Sequence, residues 1–141
     1  MTLIIGYGNP LRGDDAVGAV VAEQVSSRLG LPTLSPHQLL PEHADTIARA
    51  SLVVFVDASV GGTPGAVSCG PVKPGPRPTL DHHLSPEALL RLTHDVFGCE
   101  PPAWLVRIEG QAFAFGTPLS PAVAKAVPEA VALIQKLVPA L

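Results

Sequence analysis

The stretch SLVVFVDA, Ser51 to Ala58, is apolar without interruption from Leu52 to Val56. Successive side chains of a strand point to opposite faces, so this run has no face for water and must be covered on both sides. Helices on both faces of a largely parallel sheet provide that cover, and the remaining sequence supplies them. Thr2 to Ile5 is a short β-prone run ending in glycine, and Asp15 to Leu29 then carries Val17, Val20, Val21, Val25 and Leu29 at helical spacing. LPTLSPHQL reads as a second, shorter strand. In PEHADTIARA, Pro41 fits the first helical position and Ala44, Ile47 and Ala48 line one face. AVSCG is a further strand, and PVKPGPRPTLDHH is a loop, because proline lacks a ladder donor and restricts the residue before it. SPEALLRLTHDVF has Ser85 as a cap and Pro86 just inside, and AWLVRIEG is the last strand. SPAVAKAVPEAVALIQKLV repeats the Ser-Pro start and keeps helical spacing through Pro128, where a kink is predicted. This alternation predicts one domain over residues 1–141, with helices flanking a mostly parallel sheet of five strands.

Composition narrows the function classes. A net charge of −3 and nine Lys plus Arg scattered without a run leave no footprint for a phosphate backbone, so nucleic acid is not an expected partner. Cys69 and Cys99 lie far apart with no CxxC pair, which indicates neither a disulfide framework nor a thiolate zinc site. No signal-peptide pattern precedes the first strand, and the apolar C-terminal stretch is interrupted by Lys125, Glu129 and Lys136. The expectation is a cytoplasmic monomer without a membrane partner.

Ligands of such sheets gather at the carboxyl ends of the strands. That rule places Gly6 to Asp15 and Asp57 to Gly62 on one rim, and the loop before the third helix can bring His82 or His83 to it. The segment GYGNPLRGDDAVG resembles a dinucleotide turn, but its GxGxxxxG spacing departs from GxGxxG, and Asp14 and Asp15 would repel a pyrophosphate at the helix start. Adjacent helical residues point about 100° apart, so the two aspartates cannot share one cap. The reading assigns Asp14 to the cap and leaves Asp15 facing the cleft.

Asp57 ends an apolar strand, where burial without a partner is costly. It is either a loop cap or the second acid of a shared site. Two carboxylates on one rim repel, and a cation between them, completed by an imidazole from DHHLSPEALL, resolves the repulsion. Such a mixed oxygen and nitrogen set suits zinc, nickel or a metal carried by a substrate. His37, His43 and His94 need no such role, and Cys69 and Ser59 lack an assigned base.

Taken in order, IIGYGNPLRGDDAVG, HQLLPEHADTIARASLVVFVDASVGGTPG, DHHLSPEALL and GTPLSPAVAKAVPEAV resemble the [NiFe]-hydrogenase maturation endopeptidases over nearly the whole chain. The resemblance implies a three-layer α/β/α sandwich with a mostly parallel, twisted five-stranded sheet. It also implies removal of a C-terminal extension from a nickel-loaded hydrogenase large-subunit precursor. The family's first acid falls on Asp15, its second on Asp57, and its histidine on His82, with His83 as the alternative. Those side chains would meet the nickel of the substrate; whether the enzyme holds a metal of its own, and whether Asp15 ligates or acts as general base, stay open. The proline-rich Val72 to Leu80 region is shorter than in the family. Peptidyl-tRNA hydrolase shares the Gly-x-Gly-Asn-Pro turn, but its histidine and asparagine would be expected where Asp14, Asp15 and Ala16 stand. A non-catalytic protein binding a metal or a precursor would keep the same rim.

Overall fold

In the computed structural model, described for residues 1–79 and 84–138, the apolar run of the central segment becomes strand β3, Leu52–Ser59. It lies between two parallel neighbours, β1 (Thr2–Gly6) and β5 (Ala103–Glu109). The short β2 (Thr33–Leu34) pairs with the outer side of β1, and β4 (Val67–Val72) closes the other edge antiparallel to β5. The five strands run in the order β2-β1-β3-β5-β4.

Both faces are covered, as an all-apolar central strand requires. Val54 and Val56 of β3, with Val106 and Ile108 of β5, pack under α1 (Val17–Leu29) and α4 (Pro121–Leu137), through Val21, Val25, Val127 and Ile134. On the other face Val53 and Phe55 pack under α2 (His43–Ala48) and α3 (Pro86–Phe97), through Ile47, Leu89 and Leu90. Each of these fully buried side chains is worth about 1.5–3 kcal/mol against exposure.

The helix starts differ in instructive ways. Ser85 caps α3 as read, its Oγ accepting the Ala88 N–H at 3.1 Å. Pro41 lies in the turn ahead of α2, whose start is held by His43: its Nδ1 accepts the Leu40 N–H at 2.9 Å. The first helix is preceded by a 3₁₀ turn, Gly13–Ala16, so both aspartates belong to the tighter turn and not to α1 itself. The last helix runs unbroken through Pro128.

Glycine lets α1 sit directly on the strand ends. A Cβ on Gly18 would stand 2.7 Å from the Val56 carbonyl oxygen and 2.8 Å from that of Tyr7, and one on Gly6 would collide with the Gly18 carbonyl. The 3₁₀ turn carrying Asp14 and Asp15 is thereby held against the carboxyl ends of β1 and β3.

Candidate active site

The chain leaves β1 to reach β2 on one side and β3 on the other, with α1 and α2 on opposite faces, so the β1/β3 boundary is where the winding reverses. A crevice opens at the carboxyl ends of strands at such a point. Asp15 and Asp57 both lie there.

The turn after β1 aims Asp15. Gly8 has φ of 143°, and a Cβ there would stand 2.2 Å from the Asp15 carbonyl oxygen, so the chain folds back over Asp15 only with glycine in that place. The Asn9 N–H donates to Asp15 Oδ2 at 2.6 Å, and Asn9 Oδ1 in turn accepts the Leu11 N–H at 2.9 Å. One carboxylate oxygen of Asp15 is thus tied to its own turn.

Asp57 lies near the carboxyl end of β3, in register with Arg107 of β5. Alternation along β3 puts it on the face of Val53 and Phe55, where Tyr7 also packs. Burial pushes its pKa up to about 6; the Tyr7 hydroxyl and the Arg107 guanidinium act against that rise, while the charge of Asp15 adds to it. The Asp15 charge thus reaches Asp57. The Tyr7 hydroxyl is itself raised, first by burial and then by the Asp57 charge, and stays protonated as a donor. The like charge of Asp15 opposes ionisation of Asp57, a repulsion that a cation relieves.

Asp14 does something other than cap a helix. It is fully buried, and its carboxylate accepts the N–H groups of Gln111 at 2.8 Å, Ala112 at 2.9 Å and Ser120 at 2.7 Å, together with the Ser120 hydroxyl at 2.8 Å. Burial alone would raise its pKa, but these bonds outweigh it and hold the carboxyl below the usual value. Ser120 consequently makes no side-chain cap for α4. The physical reason is reach: a buried carboxylate in a 3₁₀ turn finds unsatisfied N–H groups on a neighbouring loop, and those need an anion more than the helix start does.

His82 and His83 lie outside the described residues. Among the described residues no group of three or more His, Cys, Asp and Glu could hold a metal ion. Of the other candidates set aside, Cys69 lies exposed on the edge strand with its thiol pKa raised by desolvation, the reverse of an activated nucleophile. His94 neighbours Asp95 on the exposed side of α3. Sequence reasoning missed Tyr7 and Arg107, although Tyr7 directly follows the first strand and Arg107 interrupts an apolar one.

No protein-family model matches the sequence, and no curated protein matches it. Solved structures do. A [NiFe] hydrogenase maturation protease HybD from Thermococcus kodakarensis superposes with a TM-score of 0.76 over 96% of this chain and 97% of its own, at 21% identity. The protein fold is that of the [NiFe] hydrogenase maturation proteases. The maturation protease HycI of Thermococcus kodakarensis matches with a TM-score of 0.74 at 25% identity, covering 96% of this chain and 90% of its own. The hydrogenase maturating endopeptidase HybD of E. coli gives 0.77 at 19% identity over the same shares, 96% and 90%. This maturation-protease fold meets the expectation of a mostly parallel five-stranded sheet between helical layers. Among the described residues no helix is long and apolar enough to cross a membrane.

Proposed function

We propose that this chain is an endopeptidase that removes the C-terminal extension of a nickel-loaded [NiFe]-hydrogenase large-subunit precursor. The placement of Asp15 and Asp57 at the winding reversal supports the reading, together with the likeness to solved maturation proteases. The nickel belongs to the substrate. Asp15 and Asp57 contact it as oxygen donors and His82, with His83 as the alternative, completes the set, a mixture that suits a borderline divalent ion. Hydrolysis adds water across the scissile peptide, leaving a new carboxylate and a free amine. Either Asp15 stays a nickel contact throughout or it takes the proton of the attacking water as general base, which are the two roles open to it.

The test mixes the protein with nickel-loaded precursor and follows the mass of the precursor's C-terminus. Truncation by the wild-type protein, abolished by Asp15→Asn, Asp57→Asn and His82→Ala with the fold intact, is the expected result. Saturable binding without truncation would replace the protease with a binding protein of the same fold.

A further inference from the structure

Large apolar side chains exposed among the described residues divide between the two ends of the sheet. Met1 and the pair Val96 and Phe97 lie at the amino ends of β1 and β5, whereas Leu11, Val60 and Phe115 lie at the carboxyl ends of the strands, the end that carries Asp15 and Asp57. Leu11 is 55% exposed and Phe115 is 67% exposed. They come from different loops, yet they are neighbours: the Gly116 N–H donates to the Leu11 carbonyl at 2.7 Å, and the Arg12 guanidinium stands over the Phe115 ring at 6.0 Å.

Nor are these loops loose. The Asp14 N–H donates to the Ala112 carbonyl at 2.8 Å, and the Asp14 carboxylate gathers Gln111, Ala112 and Ser120. The loop of residues 111–119 is thereby fastened to the turn that aims Asp15. A preformed surface loses little conformational entropy on binding, and an aromatic ring held in water gains most when a partner covers it.

We propose that Leu11, Arg12 and Phe115 form the surface on which the large-subunit precursor docks. This rests on the endopeptidase reading. The occupant follows from position and charge. The Asp15 N–H donates to the Arg12 carbonyl at 3.0 Å, so Leu11 and Arg12 border Asp15 in one turn and a protein that brings its scissile bond there comes close to both, with Arg12 adding a cation beside the ring. The complementary patch on the precursor is an apolar side chain flanked by a carboxylate.

All three side chains point away from the core, so their substitution leaves the fold intact. The experiment measures both cleavage and equilibrium binding of nickel-loaded precursor. Phe115→Ser is expected to raise KM and Kd about tenfold or more, the effect of truncating a buried aromatic anchor, with kcat within about twofold. Arg12→Glu should weaken binding likewise and remove part of its salt dependence. Phe97→Ser, at the other end of the sheet, should change neither constant. Unchanged binding by Phe115→Ser and Arg12→Glu overturns the docking surface while cleavage by wild type keeps the endopeptidase reading. A wild type that binds but never cleaves, with binding lost in Phe115→Ser, overturns the endopeptidase reading and keeps the surface. A wild-type dimer that Phe115→Ser dissociates gives the surface to a second copy of this chain and overturns the proposal.

Discussion

Asp14 and Ser120 are joined by two hydrogen bonds across 106 residues of sequence, one from the Ser120 N–H at 2.7 Å and one from its hydroxyl at 2.8 Å. They fasten the start of the last helix to the turn after the first strand. Asp14→Ala would leave the N–H groups of Gln111, Ala112 and Ser120 without their acceptor, the last of them in a buried place. A buried unsatisfied group costs about 1–3 kcal/mol and a lost bond to a charged group about 1.5–3 kcal/mol, so the loss should clearly exceed that of a single neutral bond. Ser120→Ala removes the hydroxyl bond alone and should cost about 1 kcal/mol. Urea denaturation midpoints of the two variants check the ratio; similar losses would show that the backbone bonds contribute little.

The same network predicts an acid limit. The folded Asp14 carboxyl lies below its ordinary value of 3.8, so the unfolded chain takes up a proton first as pH falls. Stability from this group is fully present above about pH 4 and is lost as pH drops through the folded pKa. Thermal midpoints measured from pH 5 down to pH 2 should fall more steeply for the wild type than for Asp14→Asn. Parallel curves would remove Asp14 from the acid response.

The fold was legible because its elements are locally consistent. Leu52 to Val56 require two covers, and the helical spacing of Val17 to Leu29 and of Val123 to Val138 provides one of them. The expectation that Asp15 and Asp57 share a rim rested on the rule for carboxyl ends alone. Asp14 was misread because its partners, Gln111, Ala112 and Ser120, are distant in sequence and mostly offer backbone N–H groups, which leave no trace in residue type. Tyr7 and Arg107 were missed for a related reason. Their relevance comes from strand register, Asp57 opposite Arg107, which one sequence read along its length does not display.

Close packing of α1 on the strands leaves no room for a side chain at Gly18. A methyl group there meets backbone oxygen of Val56 and Tyr7, neither of which can rotate away. Gly18→Ala gains a little helix propensity but forces the helix off the sheet, and overpacking of this kind costs about 1–3 kcal/mol or more. Because the displaced turn carries Asp15, processing should fall further than stability. Activity at a temperature where the variant is fully folded separates the two; unimpaired processing would show that Asp15 tolerates the shift.

The histidine doublet is resolved by single substitutions. The resemblance pattern of histidine, any residue, an apolar residue and a small one is met by His82, with Leu84 and Ser85 in the last two places. His82→Ala is expected to abolish precursor processing, and His83→Ala to retain most of it. The reverse outcome would move the third ligand by one residue.

Asp57 reports on Asp15 without any substrate. In the metal-free protein its carboxyl is raised from 3.8 to about 6, mainly by burial, with the Asp15 charge adding to the rise. A raised carboxyl favours the folded state at low pH: its contribution is complete below about pH 4 and is lost as pH climbs through about 6. Asp15→Asn removes the like charge, so the Asp57 midpoint should move down. Tyr7→Phe removes an opposing donor, so it should move up. Carboxyl carbon shifts followed by NMR from pH 3 to pH 8 give both midpoints directly. An Asp57 midpoint indifferent to Asp15→Asn would place the two acids outside each other's field and withdraw the shared site, whereas opposite shifts in the two variants would establish the carboxylate pair in solution.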